Sequence, residues 1–291
     1  HPNFAANRRV GSAARTDKGL THMFLGIDLG TSELKALLLD RRHQIVGVVR
    51  VPLTVQRPEP TWSEQNPADW WMALVAAMDQ LASQHADAMA QLEGIGLSGQ
   101  MHGAVLMDAD HQVLRPAMLW NDGRSQEQCH QLQSQSPAIM AITGNPPMPG
   151  FTAPKLLWVK QHQPSIFAKM RHVVLPKDWL GWQLTGELTT DMSDASGTWW
   201  LNVGLRDWSD EALQASGMHR RHMPRLCEGS QRSGWLRLDL CQRWGLPSRI
   251  AVAAGAGDNA ASAVGMHFLG VSWGYGVGVA KFIPSLEQAS D

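Results

Sequence analysis

Cysteine is scarce in this chain: three thiols, Cys129, Cys227 and Cys241, are spread over 291 residues with no C-x-x-C pair. That spacing argues against a disulfide framework or a zinc knuckle and fits a reducing compartment, expected to be the cytoplasm. An excess of charge of one sign is lacking too. With 25 basic against 26 acidic residues the formal net charge is −1, so no global field attracts nucleic acid or a membrane surface, and neither is expected as a partner. No apolar run reaches the roughly 18 residues of a transmembrane helix. The G-x-x-x-x-G-K-[ST] loop is also missing, which disfavours a P-loop enzyme.

The rest is an ordinary globular composition, 44% hydrophobic and 18% charged, able to bury a sizeable core. Residues 1–22 bear four basic residues, one acid and no apolar periodicity; they read as an extension outside the fold. Met23 opens three apolar runs, Phe24–Leu29, Leu34–Leu39 and Ile45–Leu53, separated by gaps of hairpin length. An antiparallel meander is predicted. Asn66 then suits an N-cap, Pro67 the first helical position and Asp69 the acidic first turn. Trp70, Trp71, Leu74, Val75, Met78 and Leu81 recur at helical spacing behind them. Strands are expected at Gly94–Leu97 and Ala104–Met107. Three strands, a helix and a strand is the order of an actin-like ATPase domain rather than a Rossmann domain. From about Gly123 to Trp244 the chain reads as helices and loops, with Ser209 capping a short helix that Gly217 stops. A final strand, Ile250–Ala254, runs into Gly255-Ala256-Gly257-Asp258-Asn259.

Two motifs carry acids in unusual places. In Gly26-Ile-Asp28-Leu-Gly30-Thr31-Ser32 a carboxylate sits in an apolar strand, where it needs a partner or a cation such as hydrated Mg²⁺. The turn after it offers amides and hydroxyls to phosphate oxygens; a plain hairpin with a hydrogen-bonded Asp fits the same residues. The second motif, Gly255 to Ala260, matches G-x-G-x-x-A, a dinucleotide fingerprint, but Asp258 would then repel the pyrophosphate. Gly94-Ile-Gly96-Leu-Ser-Gly99 follows a helix, the wrong context for that fingerprint. Asp258 suits proton removal instead, in a glycine-bounded turn that a hydroxyl can approach; an ordinary helix cap is the bland alternative. Gln100-Met101-His102-Gly103 and Trp120-Asn121-Asp122-Gly123-Arg124 set polar groups beside an indole, as a sugar pocket would. Most of the 13 tryptophans are expected in the core.

Together with Gly150-Phe-Thr152-Ala-Pro-Lys155-Leu-Leu-Trp158-Val-Lys-Gln161-His162, these residues resemble the FGGY carbohydrate kinase family. Met148-Pro149, Leu175-Pro176-Lys177-Asp178 and Asp191-Met-Ser193-Asp194-Ala-Ser-Gly197 point to its xylulokinase branch. The resemblance spans Met23 to Gly265. It implies an α/β, actin-like ATPase (ribonuclease H-like) domain, the first of the two domains of a sugar kinase, using ATP and Mg²⁺ to phosphorylate D-xylulose at its 5-hydroxyl. Asp258 corresponds to the proton acceptor. Met101, His102, Trp120, Asn121, Asp122 and Asn259 correspond to substrate contacts, Gly30, Thr31 and Ser32 to the first phosphate hairpin, and Asp28 to the metal-organising acid.

The same resemblance leads to the expectation of a second domain. After Met23 the chain has about half the length that two such domains need, and residues 266–291 do not align. The chain therefore reads as an N-terminal half, weakly active or inactive alone, with a homodimer or a second-domain chain as possible partner. A non-catalytic sugar-binding or interaction fragment is the alternative, and a dinucleotide oxidoreductase a weaker one. The kinase reading requires Asp28 and Asp258 to face one cleft.

Overall fold

The three apolar runs become adjacent strands. In the computed structural model, which describes residues 22–135 and 137–262, β1 (Met23–Leu29), β2 (Glu33–Asp40) and β3 (Ile45–Pro52) form the antiparallel meander. Every residue of β1 is buried, as befits a strand covered on both faces. Its turn is tight: the Gly30 amide donates to the Glu33 carbonyl at 3.0 Å, and a Cβ on Gly30 would stand 2.9 Å from that oxygen.

Helix α1 (Pro67–Gln84) begins where the cap signals place it, with Asn66 Oδ1 accepting from the Ala68 amide at 3.1 Å. It buries Trp70, Leu74, Met78 and Leu81 in the same apolar cluster as β1, each contributing roughly 1.5–3 kcal/mol on leaving water. Trp71 and Val75, expected on that face, are only half-buried at its border. The chain returns as β4 (Leu92–Gly99), parallel to β1. Gly94, Gly96 and Gly99 all lie inside this strand, so they form no strand-to-helix turn.

The next expected strand, at Ala104–Met107, also forms, but in another sheet. β5 (Val105–Met107) does not extend the meander sheet; it pairs antiparallel with β6 (His172–Val174). The cause is local. His102 takes a left-handed φ of +66°, which turns the chain off the sheet just after β4.

The middle section supplies α2 (Thr152–His162), α3 (Pro176–Thr185), β7 (Thr189–Asp191), α4 (Met192–Ser196) and β8 (Arg225–Cys227). β7 and β8 pair in parallel, a contact that the reading as helices and loops did not contain. The short helix Asp210–Ala215 is present, with Ser209 Oγ accepting the Ala212 amide at 3.2 Å. A second apolar cluster, around Leu156, Trp158, Trp199 and Trp200, packs this section. All three cysteines are free and buried, and burial pushes the Cys129 thiol up to about 12.

The chain re-enters the main sheet through β9 (Arg232–Trp235), β10 (Ala251–Ala253) and β11 (Ala256–Gly257). The seven strands run β9-β10-β4-β1-β2-β3, with β11 also on β4. No helix among the described residues is long and apolar enough to cross a membrane. Of the expected extension 1–22 only His22, paired with Glu93, is described; the expected tail 266–291 lies outside the described residues.

Between β10 and β11 the chain passes very close to β4. Gly255 has a φ of +79°, and a Cβ there would fall 1.9 Å from the Leu97 carbonyl oxygen. Gly255→Ala should therefore cost about 3 kcal/mol or more, through strain and displaced strands. Gly245, at +64° with open space around it, should cost only about 1–2 kcal/mol on the same change. Urea denaturation of the two variants checks this, and equal losses would refute the close-approach account.

Candidate active site

Parallel pairing gathers the chemistry at one edge of the sheet. In register, Asp28 stands opposite Ser98 on one side of β4, and Ala256 opposite Ser98 on the other. One residue beyond β11, Asp258 opens a helical segment over 258–262. Ser98 Oγ donates to Asp28 Oδ1 at 2.9 Å. Burial raises the Asp28 pKa; Ser98 and Lys35 pull it down, and the Asp258 charge pushes it up again.

Asp258 accepts a 2.7 Å hydrogen bond from the Asn259 amide. Its pKa is raised by burial, against the lowering effect of that bond. A carboxylate more basic than a free aspartate is a better acceptor for a hydroxyl proton. Beside it opens a cavity of about 280 Å³ lined by Met101, His102, Trp120, Asp258 and Asn259. Five of the expected site residues therefore line one cavity. Gly257 makes room for the loop, since a Cβ there would come within 2.6 Å of Met101 Cγ.

The Met101–His102 loop is held from below by residues quoted from the sequence without a role. The His102 carbonyl accepts from Lys155 Nζ at 3.0 Å and from Thr152 Oγ1 at 3.2 Å. Lys155 also donates to the Gly150 carbonyl at 2.6 Å, and complete burial lowers its pKa to about 7. His102 Nδ1 lies 2.8 Å from the Gly197 carbonyl. A carbonyl only accepts, so Nδ1 bears the proton and Nε2 is left as an acceptor. Burial lowers the His102 pKa to about 4, outweighing the Gly197 bond.

Trp120 is 48% exposed, and its indole N–H donates to Thr31 Oγ1 at 3.0 Å. Thr31 Oγ1 in turn donates to Gln100 Oε1 at 3.2 Å, and Gln65 Nε2 donates to the Thr31 carbonyl at 2.8 Å. The cavity wall and the glycine hairpin are therefore one hydrogen-bonded unit. Ser32 is exposed at the tip of that hairpin. Gln65 escaped the sequence reading because it belongs to no motif; its place just before the Asn66 cap was the available signal.

Asp122 and Asn121 are placed differently from the sequence expectation. Neither lines the cavity. The Asp122 carboxylate is buried and accepts from the Ser63 amide at 2.7 Å and from Arg124 Nε at 2.8 Å. Arg124 also bridges to Glu64 at 2.7 Å. Asp122 is spent on fixing its loop, because a buried carboxylate takes the nearest guanidinium. Among the described residues no group of three or more His, Cys, Asp or Glu could hold a metal ion.

Residues 23–265 match the FGGY family of carbohydrate kinases, N-terminal domain. A xylulose kinase of Klebsiella pneumoniae is 52% identical over 244 residues, covering 84% of this chain and 50% of that protein. The crystal structure of a xyloylose kinase from Brucella ovis superposes with a TM-score of 0.83 at 52% identity, over 84% of this chain and 50% of its own. A xylulose kinase from Rhodospirillum rubrum gives 0.80 at 27% identity, with the same coverage of 84% and 50%. The chain spans about half the length of the curated relatives it matches. The fold is accordingly α/β, of the actin-like ATPase type.

A neutral, buried His102 has a consequence for stability. Its folded pKa of about 4 lies below the ordinary histidine value of 6.5, so between those values the unfolded chain binds a proton that the folded chain does not. Stability is lost as the pH falls through that window, by up to about 3 kcal/mol from this group. Melting curves of the wild type and His102→Gln from pH 7 to 4 should show a smaller acid loss in the variant. Parallel curves would remove His102 as the cause.

Proposed function

The chain belongs to the FGGY family of carbohydrate kinases, and we propose that it forms the sugar-binding half of a xylulokinase-type site that takes D-xylulose, with Asp258 as the base. One observation carries this reading: Asp258 lines one cavity with Met101, His102 and Trp120, at the sheet edge where the Asp28 strand also ends. Relatives described as xylulose kinases support the choice of ketose.

In this reading the ketose lies against the Trp120 indole, whose face suits the C–H side of a sugar. The Met101–His102 loop and Asn259 orient its hydroxyls. The 5-hydroxyl oxygen bonds to the γ-phosphorus of ATP, and the bond from that phosphorus to the β–γ bridging oxygen breaks with its electron pair, releasing ADP. Asp258 receives the hydroxyl proton. Gly30, Thr31 and Ser32 offer amides and hydroxyls to phosphate oxygens at the hairpin.

Sugar kinases of this family use ATP, typically with Mg²⁺. Asp28 fits the ion. It is a buried carboxylate with a single hydroxyl donor and a raised pKa, and Mg²⁺ is commonly held by one or two carboxylates plus waters and phosphates. The ion would supply charge neutralisation between phosphate oxygens. The hairpin's own part is rigidity, through the Trp120–Thr31–Gln100 bonds.

Two measurements test the reading. D-xylulose at about 100 times its Kd should stabilise the chain by about 2.7 kcal/mol in a thermal melt, whereas a stereoisomeric ketose should do less. In ADP-release assays, Asp258→Asn should lower turnover by about 10²–10⁴-fold relative to the wild type. Sugar affinity should fall by no more than about 10-fold, the loss of one hydrogen bond to a charged group. No shift with any ketose, or near-normal turnover in Asp258→Asn, would end the proposal.

A further inference from the structure

Beneath the cavity lies a second, fully enclosed group of charges that the phosphoryl-transfer reading does not use. Lys177, at the start of α3, has no exposed side-chain surface. Its Nζ donates to Asp178 Oδ1 at 2.6 Å and to the Ala254 carbonyl at 3.2 Å. It also stands 2.8 Å from Asp191 Oδ1, off the hydrogen-bond line, and 3.7 Å from Asp194 Oδ2. Burial acts against this ammonium, but the three carboxylates outweigh it and raise its pKa. One cation therefore serves three buried acids that no other cation reaches by an ion pair among the described residues.

Each contact leads to a different side of the cavity. Ala254 is the last residue before Gly255, and three residues further on the chain reaches Asp258. Asp191 Oδ2 caps α4 by accepting the Ser193 and Asp194 amides at 2.8 and 3.2 Å. α4 ends at Gly197, whose carbonyl takes His102 Nδ1 and whose Cβ, if it had one, would fall 2.4 Å from His102 Cε1. Lys177 Cβ also lies below Gly99, where an added Cβ would be 3.2 Å away. The base and the sugar loop thus hang from one ammonium.

We infer that Lys177 is a positioning residue, which fixes the turn bearing Asp258 relative to the Met101–His102 loop by holding Ala254 and the cap of α4 on a single cation. The inference rests on the reading of Asp258 as base and His102 as sugar contact. A neutral side chain at 177 would release the Ala254 carbonyl and leave the α4 cap to rearrange, so the two walls of the cavity would move independently. Misplacement of reacting groups by about 1 Å costs on the order of 100-fold in rate.

The test uses the full chain and a double-mutant cycle. Affinity for D-xylulose is measured by calorimetry for the wild type, Lys177→Met, Asp258→Asn and the double variant. If Lys177 acts through the placement of Asp258, each single variant binds about 10-fold more weakly and the double variant no worse than about 3-fold below Asp258→Asn. Losses that multiply, or Lys177→Met within about 2-fold of wild type, would overturn the inference. Amide hydrogen exchange supplies a readout that needs no ligand. Exchange over residues 254–259 should quicken by about 10-fold or more in Lys177→Met while β1–β3 keep their protection. Unchanged exchange at 254–259 overturns the inference whatever the calorimetry gives. Should Lys177→Met not fold, Lys177→Met/Asp178→Asn, which also removes one acid needing the cation, is carried through the same measurements. A wild-type chain that binds no ketose would end the proposed function, and the exchange result would then decide the role of Lys177 alone.

Discussion

Parallel strands present their carboxyl ends at one edge of a sheet, and around β4 that constraint acts on both sides. β1 lies parallel on one side and β11 on the other, with Ser98 in register with Asp28 and Ala256 alike. Acids that are far apart in sequence are thereby delivered to one place by backbone hydrogen bonds alone. Everything else in the site refines distances that this pairing has already set. An antiparallel β4 would carry Ser98 and Gly99 to the opposite edge, and Asp28 would lose its hydroxyl donor.

The loops on that edge are rigid because charge is buried beneath them. Lys155 holds two carbonyls, Arg124 holds Asp122 and Glu64, and Lys177 gathers three acids. Such groups add little net stability, since desolvation consumes most of the attraction. Their effect is directional: an ammonium with fixed acceptors permits few backbone positions. Arg124 also stacks 3.6 Å over the Trp62 ring, so even the planar group has a fixed face. The outcome is a cavity whose walls are held in place by side chains with fixed acceptors.

The sequence reveals the elements whose signals are local. Asn66-Pro67 and the spaced tryptophan and leucine side chains mark α1, and three apolar runs with short gaps mark the meander. Asp258 is conspicuous because an acid in a glycine turn after a strand is poorly suited to an anion. Less visible are the fates of Val105–Met107, which read equally well as a sheet strand, and of the parallel pair β7–β8, whose three residues each are too few for a period. Asp122 is misread for a related reason. Beside Trp120 and Asn121 it looks like a sugar contact, and only the approach of Ser63 and Arg124 shows that its oxygens are already taken. Gln65 reaches Thr31 and Gln100, and Lys177 reaches Asp191 and Ala254, partners distant in sequence that composition and spacing do not encode.

The place of β10 and β11 in the sheet also has a consequence in time. β4 must wait for partners made about 160 residues later, a gap of roughly 8–30 s at ribosomal speeds of 5–20 residues per second. During that interval the meander and α1 can assemble, but the flank of β4 that will receive β10 and β11 stands open. Loop closure over so long a segment is slow and leaves an unpaired edge exposed. The pocket is therefore the last part of this domain to exist, and a nascent chain is most vulnerable to aggregation just before Gly255 slips past Leu97.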